Sequence, residues 1–398
     1  MAAKYKYAIL VGDGMADFAI AELGGKTPLE HASTPNMDAV VAGGHTGLVA
    51  TIPEGFSPGS DVANMSLLGY DPKKHYSGRA PIEAASMGVA LGPADIAFRC
   101  NLVCLKNGIM EDYSAGHIET DQAKELIELL QSELGNENLR FYPGVSYRHL
   151  MVFRVAGMNL VTTPPHDISG KDYVHHLPKG DGCEVLCSIM ERARKILASA
   201  EVNKKRIESG KLPASDIWLW GEGSAIVLPS LYEQFSLTGS VISAVDLVRG
   251  LGKLAGLKVR LVEGATGYLG TNYAGKVAAA KEALEDENFV YLHVEAPDET
   301  SHEGSLEKKI LAIEEFDKFV VGPMLEYQNE RSDLRILVLP DHATPVSLKT
   351  HSSGPVPFGV CGPAVSKGEV KRYNEKTASG CQVLSATSLF QAFIEESF

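Results

Sequence analysis

The chain has 398 residues, of which 44% are hydrophobic and 22% charged, and its formal net charge is −13. This length exceeds what one hydrophobic core usually supports, so we expect two domains. The apolar content excludes an intrinsically disordered chain. The negative charge argues against a protein that wraps nucleic acid, which needs clustered Lys and Arg on the phosphates.

The N-terminal segment is expected to be a buried strand rather than a targeting signal. Its apolar run, YAILVG, is only a few residues long and ends at Asp13, which is too short for a signal peptide or a membrane span. No later segment stays apolar over the roughly 18 residues that a spanning helix needs. We therefore expect a cytoplasmic protein without a membrane partner.

Apolar runs and helical patterns alternate along much of the chain. Near-continuous apolar runs, which are typical of parallel strands covered on both faces, cover residues 7–11, 259–262, 289–294 and 335–339. Helical patterns lie at residues 274–285 and 306–326. This alternation indicates an α/β fold with a mostly parallel sheet flanked by helices.

The middle of the chain carries a second set of elements. Strands are predicted at residues 139–141 and 150–155, and helices at 121–133 and 184–208. A polar stretch with Gly and Pro follows at 204–213 and suits a domain boundary. We expect a discontinuous core of residues 1–76 and 215–398 that is interrupted by an inserted α+β cap of residues 77–214.

Three of the predicted strands are followed by an aspartate, namely Asp13, Asp298 and Asp341. Open parallel sheets bind ligands beyond the carboxyl ends of their strands. Three carboxylates gathered there would repel each other unless a cation lay among them. The alternative is that each aspartate caps the helix after its strand.

Histidines accompany two of these aspartates. His302 follows Asp298 by four residues, His342 is adjacent to Asp341, and His351 lies in the next loop. Three carboxylates and three imidazoles form an O/N donor set that favours Mn²⁺, Zn²⁺ or Mg²⁺. Six ligands exceed the four that one tetrahedral ion takes, so we expect two divalent metal ions.

The segment FSPGSDVANMSLLGYDP places Ser60 at the start of a short helical pattern. Backbone N–H groups and the helix dipole favour negative charge at such a position. An adjacent metal would make the hydroxyl a nucleophile at neutral pH. An ordinary helix cap is the alternative interpretation of this serine.

Several of these segments together resemble the archaeal-type cofactor-independent phosphoglycerate mutases of the alkaline phosphatase superfamily. The segments are VGDGMAD, GSDVANMSLLGYD, GATGYLGTNYAGK, EAPDETSHEG, LPDHATP and HSSGPVPF. The resemblance covers nearly the whole chain and implies an alkaline phosphatase-like core. It also implies an isomerase of 3-phosphoglycerate and 2-phosphoglycerate, and hence a small phosphorylated substrate.

The resemblance further implies which residues do the chemistry. It implies two groups of metal ligands: Asp298, His302 and His351 for one ion, and Asp13, Ser60, Asp341 and His342 for the other. We expect Mn²⁺ in both positions. Ser60 would carry the phosphoryl group transiently as a phosphoserine.

In bacterial members of this family the inserted domain holds phosphoglycerate with a His, an Asp and several Arg. The corresponding candidates here are Arg79, Arg99, His117, Arg148, His166 and Asp167, with Lys276 from the core. Arg suits phosphate and carboxylate because its planar fork binds both bidentately. The alternative is that these are ordinary surface charges, with Arg99 neutralising Asp95.

Two other segments, IWLWGEG and GSVISAVDLVRGLG, resemble a bacterial subgroup whose members have been proposed to be homoserine kinases using ATP. The chain has no Walker-type G-x-x-x-x-G-K-[ST] motif, which favours the mutase. A kinase, a plain phosphatase and a catalytically silent metal-binding protein remain alternatives. The number of chains that assemble is also open.

Overall fold

A computed structural model describes residues 5–155, 159–395 and 398. The chain forms two compact units: Met1–Tyr76 with Val227–Phe398, called here the core unit, and Ser77–Ile226, called the inserted unit. The second boundary falls after Ile226, later than the expected residue 214. The reason is that the strand Asp216–Ser224 pairs with Asp95–Lys106 inside the inserted unit.

The elements are numbered in chain order over the described residues. The strands are β1 (Lys6–Gly12), β2 (His45–Ala50), β3 (Asp95–Lys106), β4 (Ile109–Asp112), β5 (Leu139–Tyr142), β6 (Arg148–Arg154), β7 (Asn159–Val161), β8 (Lys179–Asp181), β9 (Asp216–Ser224), β10 (Gly239–Ile242), β11 (Lys258–Val259), β12 (Phe289–Val294), β13 (Leu334–Leu339), β14 (Val356–Cys361) and β15 (Val383–Ser385). The helices are α1 (Pro28–His31), α2 (Pro35–Gly43), α3 (Ser60–Leu67), α4 (Pro72–His75), α5 (Arg79–Met87), α6 (Thr120–Leu134), α7 (Cys183–Ser199), α8 (Glu201–Glu208), α9 (Leu231–Phe235), α10 (Asp246–Leu254), α11 (Tyr273–Asp286), α12 (Ala296–His302), α13 (Leu306–Phe316), α14 (Gly322–Asn329), α15 (Glu375–Ala378) and α16 (Ala386–Glu395). Short 3₁₀ segments lie at Ala21–Leu23, Pro165–Ile168 and Val174–His176, and a π-helical segment at Asp317–Val321 joins α13 to α14.

The core unit contains a mostly parallel sheet of eight strands in the order β11-β10-β12-β1-β13-β14-β2-β15. The five strands from β11 to β13 run parallel, and β14 runs antiparallel to both of its neighbours. Every residue of β12 and β13 is buried, as expected for strands covered on both faces. The predicted fold class, α/β with a mostly parallel sheet, is confirmed.

The inserted unit is built on an antiparallel sheet. Its strands have the order β4-β3-β6-β5, and the long strand β3 also pairs with β9. Helices α6 and α7 pack against this sheet. They bury Leu126, Ile127 and Leu130 of α6, together with Leu186 and Leu197 of α7, in a second apolar core.

Several predicted elements differ from the observed ones in extent. The predicted strand at 259–262 is shorter and comprises only Lys258–Val259, while the predicted helix at 184–208 is interrupted at Ala200 between α7 and α8. The predicted helix at 306–326 contains the π-helical segment Asp317–Val321. No helix of the described residues is long and apolar enough to cross a membrane.

Candidate active site at the carboxyl edge of the core sheet

The three aspartates follow three neighbouring strands of the core sheet. Strand β1 lies between β12 and β13, with Gly12 opposite Val294 and Val11 opposite Leu339. The carboxyl ends of the three strands are therefore level with each other. Asp13 directly follows β1, Asp341 lies just after β13, and Asp298 lies in the first turn of α12 after β12.

Asp13 lies at the centre of this edge. Its carboxylate is 2% exposed, with Oδ2 3.0 Å from His293 Nε2 and Oδ1 3.5 Å from His342 Nε2. Burial, followed by the charges of Asp341 and Asp298, raises the pKa of Asp13 well above its usual value. A carboxylate in these surroundings is stabilised in its ionised form by a nearby cation.

Ser60 and Asp341 lie on either side of His342. The Ser60 hydroxyl is 3.0 Å from His342 Nε2, and Asp341 Oδ2 is 3.5 Å from the same nitrogen. Asn64, one turn after Ser60 on α3, donates one hydrogen bond to Ser60 O and one to Asp341 Oδ2, both at 2.8 Å. Tyr291 donates to Asn64 Oδ1 at 2.5 Å. The serine is thus fixed relative to the carboxylate.

Asp298 forms a second group with two histidines. Its Oδ2 is 3.1 Å from His302 Nε2, and its Oδ1 is 3.6 Å from His351 Nε2. The two imidazole Nε2 atoms are 3.1 Å apart. Burial opposes protonation of His302, but the bond to Asp298 and its charge raise the pKa of His302 to about 9. Both histidines thus have a ring nitrogen close to the carboxylate of Asp298.

The ligand atoms fall into two compact groups. The atoms of Asp298, His342 and His351 lie within 4.8 Å of one another, as do those of Asp13, Asp341 and His342. His342 therefore belongs to both groups, and His302 adjoins the first. Burial lowers the pKa of His342, which keeps its imidazole neutral, the form that coordinates metals.

The capping alternative does not describe Ser60. Helix α3 begins at Ser60, and its N-cap is Gly59, which has no side chain that could cap the helix. Asp298 is likewise inside the first turn of α12, after the N-cap Glu295. The side chains of Ser60 and Asp298 thus point to the ligand groups rather than to a helix end.

The substrate-binding candidates of the inserted unit lie in one network of charged and aromatic side chains. Arg99 Cζ is 4.1 Å from the centre of the Trp220 ring, and the ring of His166 is 5.4 Å from the same tryptophan. Arg148 lies over Tyr147 at 5.6 Å, and the ring of His117 is 6.1 Å from Tyr147. Asp167 Oδ1 lies 3.7 Å from His166 Nε2.

Glu83 joins two of the arginines. Its Oε1 is 3.1 Å from Arg79 Nε and its Oε2 is 2.8 Å from Arg99 Nε. Burial opposes the ionisation of Glu83, yet the charges of Arg99 and Arg79 lower its pKa. The alternative that Arg99 neutralises Asp95 is wrong, because Asp95 pairs with Arg154 at 3.0 Å.

Lys276 lies in the core unit, on the buried face of α11. Its Nζ donates to the carbonyl oxygen of His293 at 3.2 Å, and the His293 side chain contacts Asp13. Burial lowers the pKa of Lys276 to about 8. Lys276 is therefore linked to the carboxylate cluster through a single residue, His293.

Sequence reasoning missed His293, Asn64, Glu83 and Trp220. His293 had a signal, since it is a polar residue inside the apolar run FVYLHV. Asn64 and Glu83 each follow a selected residue by four positions on a helix, which places them on the same face. Trp220 lies in the segment IWLWGEG, which indicated only a resemblance to the bacterial subgroup and gave no prediction for the tryptophan itself.

Comparisons with known proteins identify relatives of this chain. A family model described as 2,3-bisphosphoglycerate-independent phosphoglycerate mutase matches residues 42–203. A mutase of that name from Methanosarcina mazei is 55% identical and aligns over 89% of this chain and 90% of its own. A solved protein from Pyrococcus horikoshii has a TM-score of 0.84 at 28% identity, covering 100% of this chain and 99% of its own. The cofactor-independent phosphoglycerate mutase of Thermoplasma acidophilum has a TM-score of 0.66 at 25% identity, covering 99% and 100%.

Proposed function

We propose that this chain, which belongs to the family of 2,3-bisphosphoglycerate-independent phosphoglycerate mutases, interconverts 3-phosphoglycerate and 2-phosphoglycerate through a phosphorylated Ser60. The observation that carries the proposal is the position of the Ser60 hydroxyl, 3.0 Å from His342 Nε2 at the edge of the carboxylate cluster. The relatives from Methanosarcina mazei and Thermoplasma acidophilum are both phosphoglycerate mutases by name, and they give no support to the kinase.

The residues at the sheet edge fit divalent cations. Asp13 Oδ1 is buried and has no hydrogen-bond partner among the described residues. We assign the ligands as Asp298, His302 and His351 for one ion, and Asp13, Ser60, Asp341 and His342 for the other. Bound ions would offset the carboxylate charge and favour the ionised serine hydroxyl. The mixture of oxygen and imidazole ligands suits Mn²⁺, Zn²⁺ or Mg²⁺, and of these we propose Mn²⁺.

Ser60 is placed to accept a phosphoryl group and return it. Its Oγ forms a bond to phosphorus as the bond from phosphorus to the substrate O3 breaks, and the hydroxyl proton ends on that oxygen. The glycerate then turns, and its O2 forms a bond to the same phosphorus as the bond from phosphorus to Ser60 Oγ breaks, while the O2 proton returns to that serine oxygen. The two steps use no second phosphorylated compound, in keeping with the family name.

The basic residues supply the binding of the anionic substrate in this proposal. Arg79, Arg99 and Arg148 surround a single carboxylate, that of Glu83, whose pKa the charges of all three arginines lower. We propose that these arginines bind the phosphate and carboxylate groups of the substrate, because the guanidinium group binds both bidentately. We include His117, His166, Asp167 and Lys276 as further substrate contacts.

The variant Ser60→Ala tests the nucleophile. We expect a loss of at least about a thousandfold in turnover, or about 4 kcal/mol, because the covalent step is lost. Turnover is measured with Mn²⁺ by coupling the formation of 2-phosphoglycerate to enolase, without 2,3-bisphosphoglycerate. The matched control is Ser66→Ala on the same helix, where the hydroxyl donates to Val62 O at 3.0 Å and full activity is expected.

Mass spectrometry distinguishes the alternatives. Brief incubation of the wild type with phosphoglycerate should add one phosphoryl group, and Ser60→Ala should stay unmodified. Activity of Ser60→Ala within about tenfold of the wild type, a difference of only about 1.4 kcal/mol, would reject the mechanism. Phosphorylation by ATP but not by phosphoglycerate, with ADP release that depends on homoserine, would replace the mutase by the kinase.

A further inference from the structure

A buried lysine joins two loops of the core unit and has no part in the mechanism above. Lys309, on α13, is 0% exposed. Its Nζ donates to Asp17 Oδ2 at 2.8 Å, to Ala16 O at 3.1 Å and to Thr344 O at 2.9 Å. Three acceptors match the three protons of an ammonium group, so the buried charge is fully hydrogen-bonded.

The two loops are those that carry the proposed metal ligands. Ala16 and Asp17 lie in the loop after β1, three and four residues beyond Asp13, and Thr344 lies two residues beyond His342. Thr344 N also donates to Ala16 O at 3.2 Å. Asp17 Oδ2, besides accepting from the lysine, accepts from a backbone N–H of the second loop at 3.0 Å. The ion pair therefore sets the distance between the loops.

Thr344 transmits this arrangement to ligands of both proposed ions. Its hydroxyl donates to Asp298 Oδ1 at 2.5 Å and lies 3.1 Å from His342 Nδ1. The carbonyl of the same residue is held by Lys309. A displacement of the loop at Thr344 therefore moves a contact of Asp298 and a contact of His342 together.

The position of Lys309 on its helix is unfavourable for a lysine. It occupies the face of α13 that buries Ala312, Ile313 and Phe316. An apolar side chain there would avoid the cost of removing an ammonium and a carboxylate from water, a cost that often exceeds the attraction between them. A stabilising role alone does not account for the pair, whereas a role in fixing the loops does.

We propose that Lys309 and Asp17 are positioning residues that hold the two ligand-bearing loops in register and thereby raise the affinity of the site for divalent ions. The inference rests on the metal ligands of the proposed function. Outer partners of metal ligands typically change metal affinity by about 10-fold to 100-fold when they are removed. We expect a loss of that size in Lys309→Met and in Asp17→Asn.

The experiment is a titration of chelator-treated protein with Mn²⁺ by isothermal calorimetry, with folding checked by circular dichroism. The matched control is Arg206→Met, which removes a buried cation of the inserted unit that donates to Ala115 O at 2.7 Å and Leu212 O at 3.0 Å. This control should lose stability but bind Mn²⁺ within about twofold of the wild type, because the proposed ligands lie in the core unit. The visible spectrum of the Co²⁺-loaded protein should also change in the Lys309 and Asp17 variants and stay the same in the control.

The outcomes separate this inference from the proposed function. A folded Lys309→Met or Asp17→Asn that binds Mn²⁺ as the wild type does would overturn the positioning role and leave the mutase untouched. If Lys309→Met does not fold, Asp17→Asn decides, because it keeps the size of the side chain and one acceptor oxygen. A wild type that binds no Mn²⁺ would overturn the metal site itself. Affinity lost in the variants of a chain that turns over no phosphoglycerate would support the positioning role and reject only the mutase.

Discussion

The variant Gly14→Ala tests how closely the backbone approaches the ligand cluster. Gly14 has φ +61°, a left-handed conformation that costs residues with a Cβ atom. A Cβ atom there would lie 2.5 Å from Asp298 Oδ1 and 2.6 Å from Thr344 Oγ1. Neither atom can move freely, because the two are hydrogen-bonded to each other at 2.5 Å. Alanine at this position therefore displaces a proposed metal ligand.

The size of the effect follows from two separate terms. The left-handed backbone costs an alanine about 1–2 kcal/mol, and overpacking of a filled site costs about 1–3 kcal/mol more. We expect the free energy of unfolding to fall by about 2–5 kcal/mol in total. The matched control is Gly24→Ala, where φ is +67° but no atom lies within 4 Å of the added Cβ. Only the first term applies there.

Urea-induced unfolding followed by circular dichroism measures both variants, and calorimetric titration with Mn²⁺ measures their metal affinity. Gly14→Ala should lose more stability than Gly24→Ala and should bind Mn²⁺ more weakly. Gly24→Ala should bind Mn²⁺ like the wild type. Equal losses of stability in the two variants would refute the close approach of Gly14 to Asp298, since only the backbone term would then be present.

Two further predictions concern the inserted unit. Burial lowers the pKa of His149 to about 3, so the folded chain keeps it neutral while the unfolded chain binds a proton below about pH 6.5. Neutral His149 therefore lowers the free energy of unfolding as the pH falls from 6.5 toward 3, because only the unfolded chain takes up the proton. The loss of stability at pH 5 amounts to about 2 kcal/mol. His149→Asn should therefore lose less stability than the wild type between pH 7 and pH 5 in urea unfolding, and an unchanged pH dependence would contradict this. Glu83→Gln leaves the buried Arg99, whose side chain is 8% exposed, without its carboxylate and should cost about 3 kcal/mol. The control Glu128→Gln removes the exposed ion pair of Glu128 with Lys124, 3.7 Å apart, and should cost under about 0.5 kcal/mol. Similar losses in both variants would show that the Glu83 pair is solvated.

Three of the five parallel strands of the core sheet, β12, β1 and β13, were predictable because they are buried on both faces, whereas β10 was not predicted and β11 differs from its prediction. Strand β12 occupies the predicted residues 289–294, and β1 and β13 extend the predicted runs by one or two residues. Such strands appear in the sequence as continuous apolar runs. Three of them leading into Asp13, Asp298 and Asp341 indicated the edge at which the ligands meet, because parallel strands deliver their carboxyl ends to one side.

The other half of the sheet was not predictable from local patterns. Strand β14 contains Pro357 and Gly359, and β2 contains Gly47, residues that disfavour strands. These strands form because of their tertiary partners. A Cβ atom on Gly47 would lie 2.7 Å from the Phe358 ring, so the glycine that weakens the local signal is what lets β14 pack against β2.

The buried ionic residues of the core show where sequence reasoning could go further. Lys309 precedes Ala312, Ile313 and Phe316 by three, four and seven residues, the spacing of one helix face. A lysine on the apolar face of a helix is expected to be buried, and a buried lysine needs a carboxylate. The sequence therefore predicts that Lys309 has a partner but does not identify it. The partner, Asp17, lies 292 residues away, and only the fold brings the two together. The same reasoning applies to His293 inside β12, whose neighbour Asp13 directly follows the adjacent strand β1. A charged or imidazole side chain at a position where the periodicity requires an apolar one thus indicates a buried polar cluster. In this chain Lys309 bonds to the loops that carry proposed metal ligands, and His293 contacts one of those ligands, Asp13.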